Sequence, residues 1–323
     1  MSVINAIRLV ACLGALVALP ASLWPDDSPQ FTGGVTLVHV DVQVNNGGGN
    51  LATGLTQSDF RVFDNGAEQK IVAFGAEEQP LDLVLLFDVS GSMRVAVRQV
   101  AEVGREAMGQ LRSGDRVAVM TFASDSHLIR PFTDDRSLVE RSLLDLERGR
   151  FFGNTHIDDG IYEAAGLFFG LRDDDQPGRR HAVLVLTDNH GGGRRKTQAA
   201  IDNLWEADAT LSGLVTPVHV AAGFRWEEDR TDLHGGIERS VEASGGEMLA
   251  AGNIGTTYPM MIRRLRRRYS LYYRLPDGAS DSARAVRVEL SPDTRRLYTG
   301  AVVLARTGYF RACGGQHGFA SRN

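Results

Sequence analysis

The apolar positions of this chain follow two rhythms. Near the start, Val35, Leu37, Val38, Val40, Val42 and Val44 give the period-two pattern of a half-buried strand. The turn cluster Asn45-Asn46-Gly47-Gly48-Gly49-Asn50 follows and is expected to close a hairpin. Phe60 to Phe63 with Asp64-Asn65-Gly66, and then Lys70 to Phe74, repeat the strand–turn signal. Residues 31–79 therefore predict a small all-β unit, too short to bury much core alone.

From Leu81 the rhythm changes. Leu81 to Phe87 is almost continuously apolar, as a strand covered on both faces must be. Val97, Val100, Ala101, Ala107, Met108 and Leu111 then recur at helical spacing. Arg116 to Phe122 predicts a strand, Ile157 to Phe168 a helix, and His181 to Leu186 another buried strand. A helix over Ala199–Leu211, a strand over Leu214–Val220, a helix over Glu238–Ala243, a short strand at Glu247–Ala250 and a last helix over Tyr258–Tyr269 complete the series. Strand and helix alternate, which predicts an α/β fold over residues 80–269, doubly wound around a mostly parallel sheet. After Tyr269 period two returns in Leu271, Tyr273 and Leu275, in Val286, Val288 and Leu290, and in Val302 to Leu304. Residues 270–310 are expected to join residues 31–79 in one β-sandwich.

A length of 323 residues suits about two domains. The 43% hydrophobic and 23% charged content is that of a globular chain, and a net charge of −5 argues against a nucleic-acid binder. Residues 1–21 read as a signal peptide: Arg8, an apolar run from Leu9 to Leu19, and Leu19-Pro20-Ala21 before a cleavage point. The run is too short to span a bilayer. Residues 22–30 read as a linker and residues 311–323 as a disordered tail. An exported protein is expected, held in the periplasm, on the cell surface or released. Leu9-Val10-Ala11-Cys12 looks like a lipoprotein box, but Arg8 leaves almost no apolar run upstream of it. With Cys12 removed, Cys313 would be a single thiol.

The strongest chemical signal is Asp88-Val89-Ser90-Gly91-Ser92, directly after a buried strand and before a helix. Ligands of such sheets bind beyond the carboxyl ends of the strands. Thr155 opens a helix in a matching loop, and Asp188 ends the strand that begins near His181. All five side chains offer hard oxygen donors, which suit Mg²⁺, Mn²⁺ or Ca²⁺ and not zinc or copper. With few carboxylates and several neutral hydroxyls, a bound cation stays under-neutralised and seeks an outside anion.

This constellation resembles the metal-ion-dependent adhesion site of von Willebrand factor type A domains, over about residues 81–269. The flanks, with Asp64-Asn65-Gly66 and Arg306-Thr307-Gly308-Tyr309, resemble a set of exported bacterial proteins related to that domain and abundant in the Acidobacteria. The resemblance implies that Ser90, Ser92 and Thr155 bind the metal directly, that Asp88 and Asp188 act largely through water, and that a sixth position stays open. Asn189-His190 departs from the pattern, since many relatives carry Gly and then acidic residues there.

Other signals are weaker. Gly191-Gly192-Gly193-Arg194-Arg195-Lys196-Thr197 invites a phosphate-loop reading and fails it, because His190 and Arg195 stand where glycines belong. A basic rim beside the metal, or a solvated loop, fits that run better. The run Arg263-Arg264-Leu265-Arg266-Arg267-Arg268 is expected to be a solvated face at a helix C-terminus, where the dipole favours cations. His127, His156, His190 and His219 match no zinc spacing. Phe151-Phe152 and Phe224-Arg225-Trp226 fall in loops and could anchor a partner, with Phe152, His190, Arg194 and Trp226 as rim candidates. No G-x-S-x-G, H-E-x-x-H or S-x-x-K motif is present. The expected function is therefore a non-enzymatic, exported adhesion module that binds a Mg²⁺-type cation and captures an Asp or Glu of a partner protein. A metal-independent structural scaffold and a metal-assisted hydrolase are the alternatives.

Overall fold

Leu81–Asp88 is buried along its whole length, because helices cover both faces of the sheet that it centres. The computed structural model describes residues 36–76, 79–171, 178–191, 195–216, 236–278 and 282–310. The expected signal peptide, linker and tail, with Cys12 and Cys313, lie outside the described residues. The strands are β1 (Leu37–Asn45), β2 (Phe60–Asp64), β3 (Ala67–Gln69), β4 (Ile71–Ala76), β5 (Leu81–Asp88), β6 (Arg116–Phe122), β7 (Ser126–Thr133), β8 (Arg180–Thr187), β9 (Ala209–Val215), β10 (Met248–Ala250), β11 (Tyr269–Arg274), β12 (Arg284–Leu290), β13 (Val302–Ala305) and β14 (Gly308–Tyr309). The helices are α1 (Arg94–Met108), α2 (Arg136–Glu147), α3 (Ile157–Gly166), α4 (Thr197–Glu206), α5 (Glu238–Ser244), α6 (Ile254–Arg266) and α7 (Pro292–Leu297).

The central sheet runs β10-β9-β8-β5-β6-β7, parallel except for the edge strand β7. Leu83, Leu85 and Phe87 face α1, α2 and α6, whereas Val84 and Leu86 face α3, α4 and α5. The chain winds from β5 outward to β6 and β7, then returns to β8 on the other side of β5. The reversal leaves a crevice at the carboxyl ends of β5 and β8, the usual ligand position in such sheets.

Two further sheets, β13-β1-β11-β4 and β14-β12-β2-β3, share a second core that includes Val40, Val42, Val62, Leu271, Tyr273 and Val288. Strands from the two ends of the chain are interleaved in it: β1 pairs with β11 and β13, and β2 with β12. The two signatures of the flanks meet there. Buried Asp64 accepts hydrogen bonds from Tyr309 Oη at 2.7 Å, Tyr273 Oη at 2.9 Å and Arg284 Nε at 2.9 Å. Asn65 (φ 46°) and Gly66 (φ 84°) make the left-handed turn that joins β2 to β3.

The turn at residues 46–50 does not close the expected hairpin. β1 and β2 lie in different sheets, and Asn45 and Leu51 make only an isolated bridge. One of the turn's glycines serves close approach instead. A Cβ on Gly47 would sit 2.8 Å from the Thr299 carbonyl, and Arg264 donates to Gly49 O at 3.1 Å.

The arginine run is likewise not a solvated face. Arg264, Arg266 and Arg268 are buried, and only Arg263 and Arg267 are exposed. Their partners are the polar alternates of β1 and neighbouring carboxylates. Arg264 grips Glu247 through two bonds of 2.6 Å and Asn45 Oδ1 at 2.9 Å. Arg180 grips Asp41 through bonds of 3.0 and 3.1 Å, and Arg268 Nε lies 3.2 Å from Asp41 Oδ2. Arg266 Nε lies 3.0 Å from Asp115. The period-two reading of β1 is sound, but its polar side faces the α/β layer and not water.

Residues 199–216 differ from expectation in register, and the rest of the expected strand, 217–220, lies outside the described residues. α4 ends at Glu206, and β9 occupies Ala209–Val215. Asp208 at φ 48° takes the left-handed conformation that stops the helix early. Because β9 is covered on both faces, Thr210 and Ser212 are buried with Leu211. β7 and α2 had no counterpart in the apolar pattern. β7 is an edge strand, largely exposed and carrying Pro131, and α2 starts at Asp135, whose carboxylate accepts from Ser137 N at 2.9 Å.

Candidate functional site

β5 delivers Asp88 to the crevice, and the turn that follows folds back on it. Asp88 Oδ1 accepts from Ser90 N at 2.8 Å, and Oδ2 accepts from the Thr187 hydroxyl at 2.8 Å. Met93 N donates to Ser90 O at 3.1 Å, which winds Gly91–Met93 into a 3₁₀ turn leading into α1. The Ser90 and Ser92 hydroxyl oxygens are thereby held 3.3 Å apart. Ser92 Oγ donates to Asp188 Oδ2 at 2.5 Å, and His190 N donates to Asp188 Oδ1 at 3.1 Å. Asp88, Ser90, Ser92 and Asp188 thus form one bonded cluster.

Thr155 enters from a third loop. His156 N donates to Ala123 O at 2.9 Å, and Asn154 N donates to Ser124 Oγ at 3.1 Å, so the loop is pinned to the end of β6. The Asp188 loop presses on it. A Cβ on Gly191 (φ 149°) would lie 2.3 Å from Thr155 O and 2.8 Å from Thr155 Cβ. That approach requires glycine at position 191.

Asp88 is fully buried, and burial pushes its carboxyl up to about 6. The Ser90 and Thr187 hydrogen bonds oppose that rise, and the nearby Asp188 adds to it. Both bonds come from neutral donors. A cation in reach of the hydroxyls of Ser90, Ser92 and Thr155 would relieve the cost of ionising Asp88. The residues present fit a hard, oxygen-liganded cation on that ground.

Asn189 accounts for the departure in this loop. It adopts φ 61°, a left-handed conformation that Asn tolerates almost as Gly does. Its amide also latches the loop to α5, donating to Glu238 Oε1 at 2.6 Å and accepting from Ile237 N at 3.0 Å. Thr187, which flanks Asp188, was not singled out in the sequence, and Asn189 stood out there only as a departure from the family pattern.

Of the rim candidates, Phe152 is 68% exposed, and the His190 side chain is exposed with Nδ1 at 2.8 Å from Asp188 O. Arg194 and Trp226 lie outside the described residues, as does His219. Arg195 stacks on Tyr162 at 4.2 Å and lies 3.4 Å from Asp159, so its charge is already engaged. His156 Nδ1 lies 2.9 Å from Ser124 O, and His181 stacks on Phe168 at 4.5 Å.

Residues 83–191 match the family model of the von Willebrand factor type A domain. None of the curated proteins compared with the chain matches it. Among solved structures, it is similar to a von Willebrand factor type A protein from Catenulispora acidiphila, at 13% identity over 86% of this chain and 75% of that one, TM-score 0.44. An aerotolerance-related membrane protein from Bacteroides fragilis shares 16% identity over 57% of this chain and 98% of that one, TM-score 0.44. Proximal thread matrix protein 1 from the mussel byssus, with a zinc-occupied MIDAS motif, shares 13% identity over 62% of this chain and 49% of that one, TM-score 0.44. The match over residues 83–191, on a doubly wound sheet with its crevice between β5 and β8, shows that this chain carries a von Willebrand factor type A domain.

Proposed function

We propose that the chain is an exported, non-enzymatic adhesion module. Asp88, Ser90, Ser92, Thr155 and Asp188 would hold a divalent cation of the Mg²⁺ or Mn²⁺ type, and the cation would complete its coordination with an Asp or Glu of a partner protein. The observation that carries this reading is the bonded cluster of Asp88, Ser90, Ser92 and Asp188 at the crevice, with Thr155 against Gly191. The hydroxyl-rich donor set leaves a bound cation with charge to spare, which favours an anionic outside ligand. The cation would supply electrostatic attraction, while the chain's residues orient it. Ser90 N and Thr187 hold Asp88 in place, and His190 N holds Asp188.

Export rests on residues 1–21, and the affinity with exported acidobacterial proteins rests on the flanking signatures. Among the described residues, no helix is long and apolar enough to cross a membrane. Thermal unfolding of the full chain tests the site. Mg²⁺ at a hundred times its dissociation constant should stabilise the protein by about 2.7 kcal/mol over EDTA. Equal melting temperatures in Mg²⁺, Mn²⁺ and EDTA would count against it.

A further inference from the structure

Beside the crevice, where β6 and β7 part at Ala123–Asp125, lies a cleft of about 290 Å³. Val89, Ile129, Leu146 and Phe152 line it, and Arg150 and Asp125 stand among them. It shares its wall with the candidate metal site. Val89 lies between Asp88 and Ser90 in the chain, and Phe152 N donates to Val89 O at 3.1 Å. Ser124, another lining residue, holds the Thr155 loop through Asn154 N. Phe152 and Ile129 are among the large apolar side chains that the fold leaves exposed, at 68% and 39%.

We infer that this cleft receives a bulky apolar side chain of the partner, close in sequence to the acidic residue that meets the cation. The inference rests on the metal reading above and adds the second half of the recognition element. Three observations select this occupant. The cleft is just below the roughly 300 Å³ at which small-molecule sites begin, so it suits one anchor side chain. Its apolar walls are continuous with the cation position, so an extended segment reaches both. Arg150 and Asp125 place one charge of each sign in the lining, so the cleft itself does not draw an anion and suits an apolar side chain, which leaves the acidic residue to the cation.

The test is selection of a random linear peptide library on the immobilised full chain in Mg²⁺, with elution by EDTA. Recovered peptides should pair an Asp or Glu with a nearby Leu, Ile, Phe or Met. Ile129→Glu should weaken them at least about tenfold, as expected for loss of a buried anchor contact, while Leu297→Ser on the far sandwich leaves them unchanged. Ile129→Glu should keep the wild-type Mg²⁺ affinity, which separates lost contact from lost fold. If that variant fails to fold, Phe152→Ser on the exposed rim replaces it. Acidic peptides with no apolar preference, bound equally by Ile129→Glu, would overturn the cleft and leave the metal reading standing. Peptides that survive both EDTA and Asp88→Ala would overturn the metal reading. Recovery of no Mg²⁺-dependent peptide would overturn both.

Discussion

Ser92 donates its hydroxyl proton to Asp188 at 2.5 Å, tying the turn after β5 to the loop after β8. Two segments nearly a hundred residues apart in sequence are thereby fixed around one point, and three of the predictions below depend on that point.

Burial of Asp88 makes the metal-free site costly. A carboxyl pushed up to about 6 stays protonated in the fold at pH values where the unfolded chain has already ionised. The sign follows: this contribution to stability is full below the unfolded pKa and is lost as pH rises through about 6. Asp88→Asn removes the titration. In EDTA at pH 7.5 it should be more stable than wild type by about 1–3 kcal/mol, an advantage that shrinks towards pH 4. Denaturant unfolding at both pH values reads the difference.

The same carboxyl sets the pH dependence of metal affinity. Below about 6 a cation competes with a proton on Asp88. Mg²⁺ affinity should therefore rise with pH up to that point, by at most about tenfold per unit, and level off above it. Titrations at pH 5, 6, 7 and 8 check the slope and the plateau.

Gly191 faces Thr155 where no side chain fits. Gly191→Ala should push the Thr155 loop away and weaken Mg²⁺ binding about tenfold or more, with an unfolding cost of about 1–3 kcal/mol. Calorimetry and a melt on the same sample separate the two effects.

The arginines of residues 263–268 should divide by burial. Arg264→Ala strands Glu247 among Gln43 and Asn45 and should cost about 3–5 kcal/mol. Arg263→Ala and Arg267→Ala, on the exposed side, should stay within about 0.5 kcal/mol. Urea unfolding of the three variants gives the comparison.

These residues also mark how far the sequence is legible. The almost continuous apolar run Leu81–Phe87, interrupted only by Asp82, followed by Asp88-Val89-Ser90-Gly91-Ser92 identifies both a doubly covered strand and the chemistry at its end. Periodicity reports that one side of β1 is polar, but not what covers that side. Asp41, Gln43 and Asn45 read as solvent-facing although arginines bury them. The same blindness makes Arg264, Arg266 and Arg268 look solvated, since their partners lie up to 227 residues away in sequence. β9 slipped because a strand covered on both faces and a helix interior are alike in apolar content, and only Asp208 breaks the tie. Asn189 reads as a departure until its φ and its bond to Glu238 are known.

The most direct measurement is a calorimetric titration of Mg²⁺ and Mn²⁺ into the metal-free protein, beside Asp88→Ala. Saturable binding of one equivalent to the wild type, and none to the variant, is the predicted result. Binding of equal strength in both, or none in the wild type at pH 7.5, would contradict the assignment of Asp88, Ser90, Ser92, Thr155 and Asp188 as a cation site.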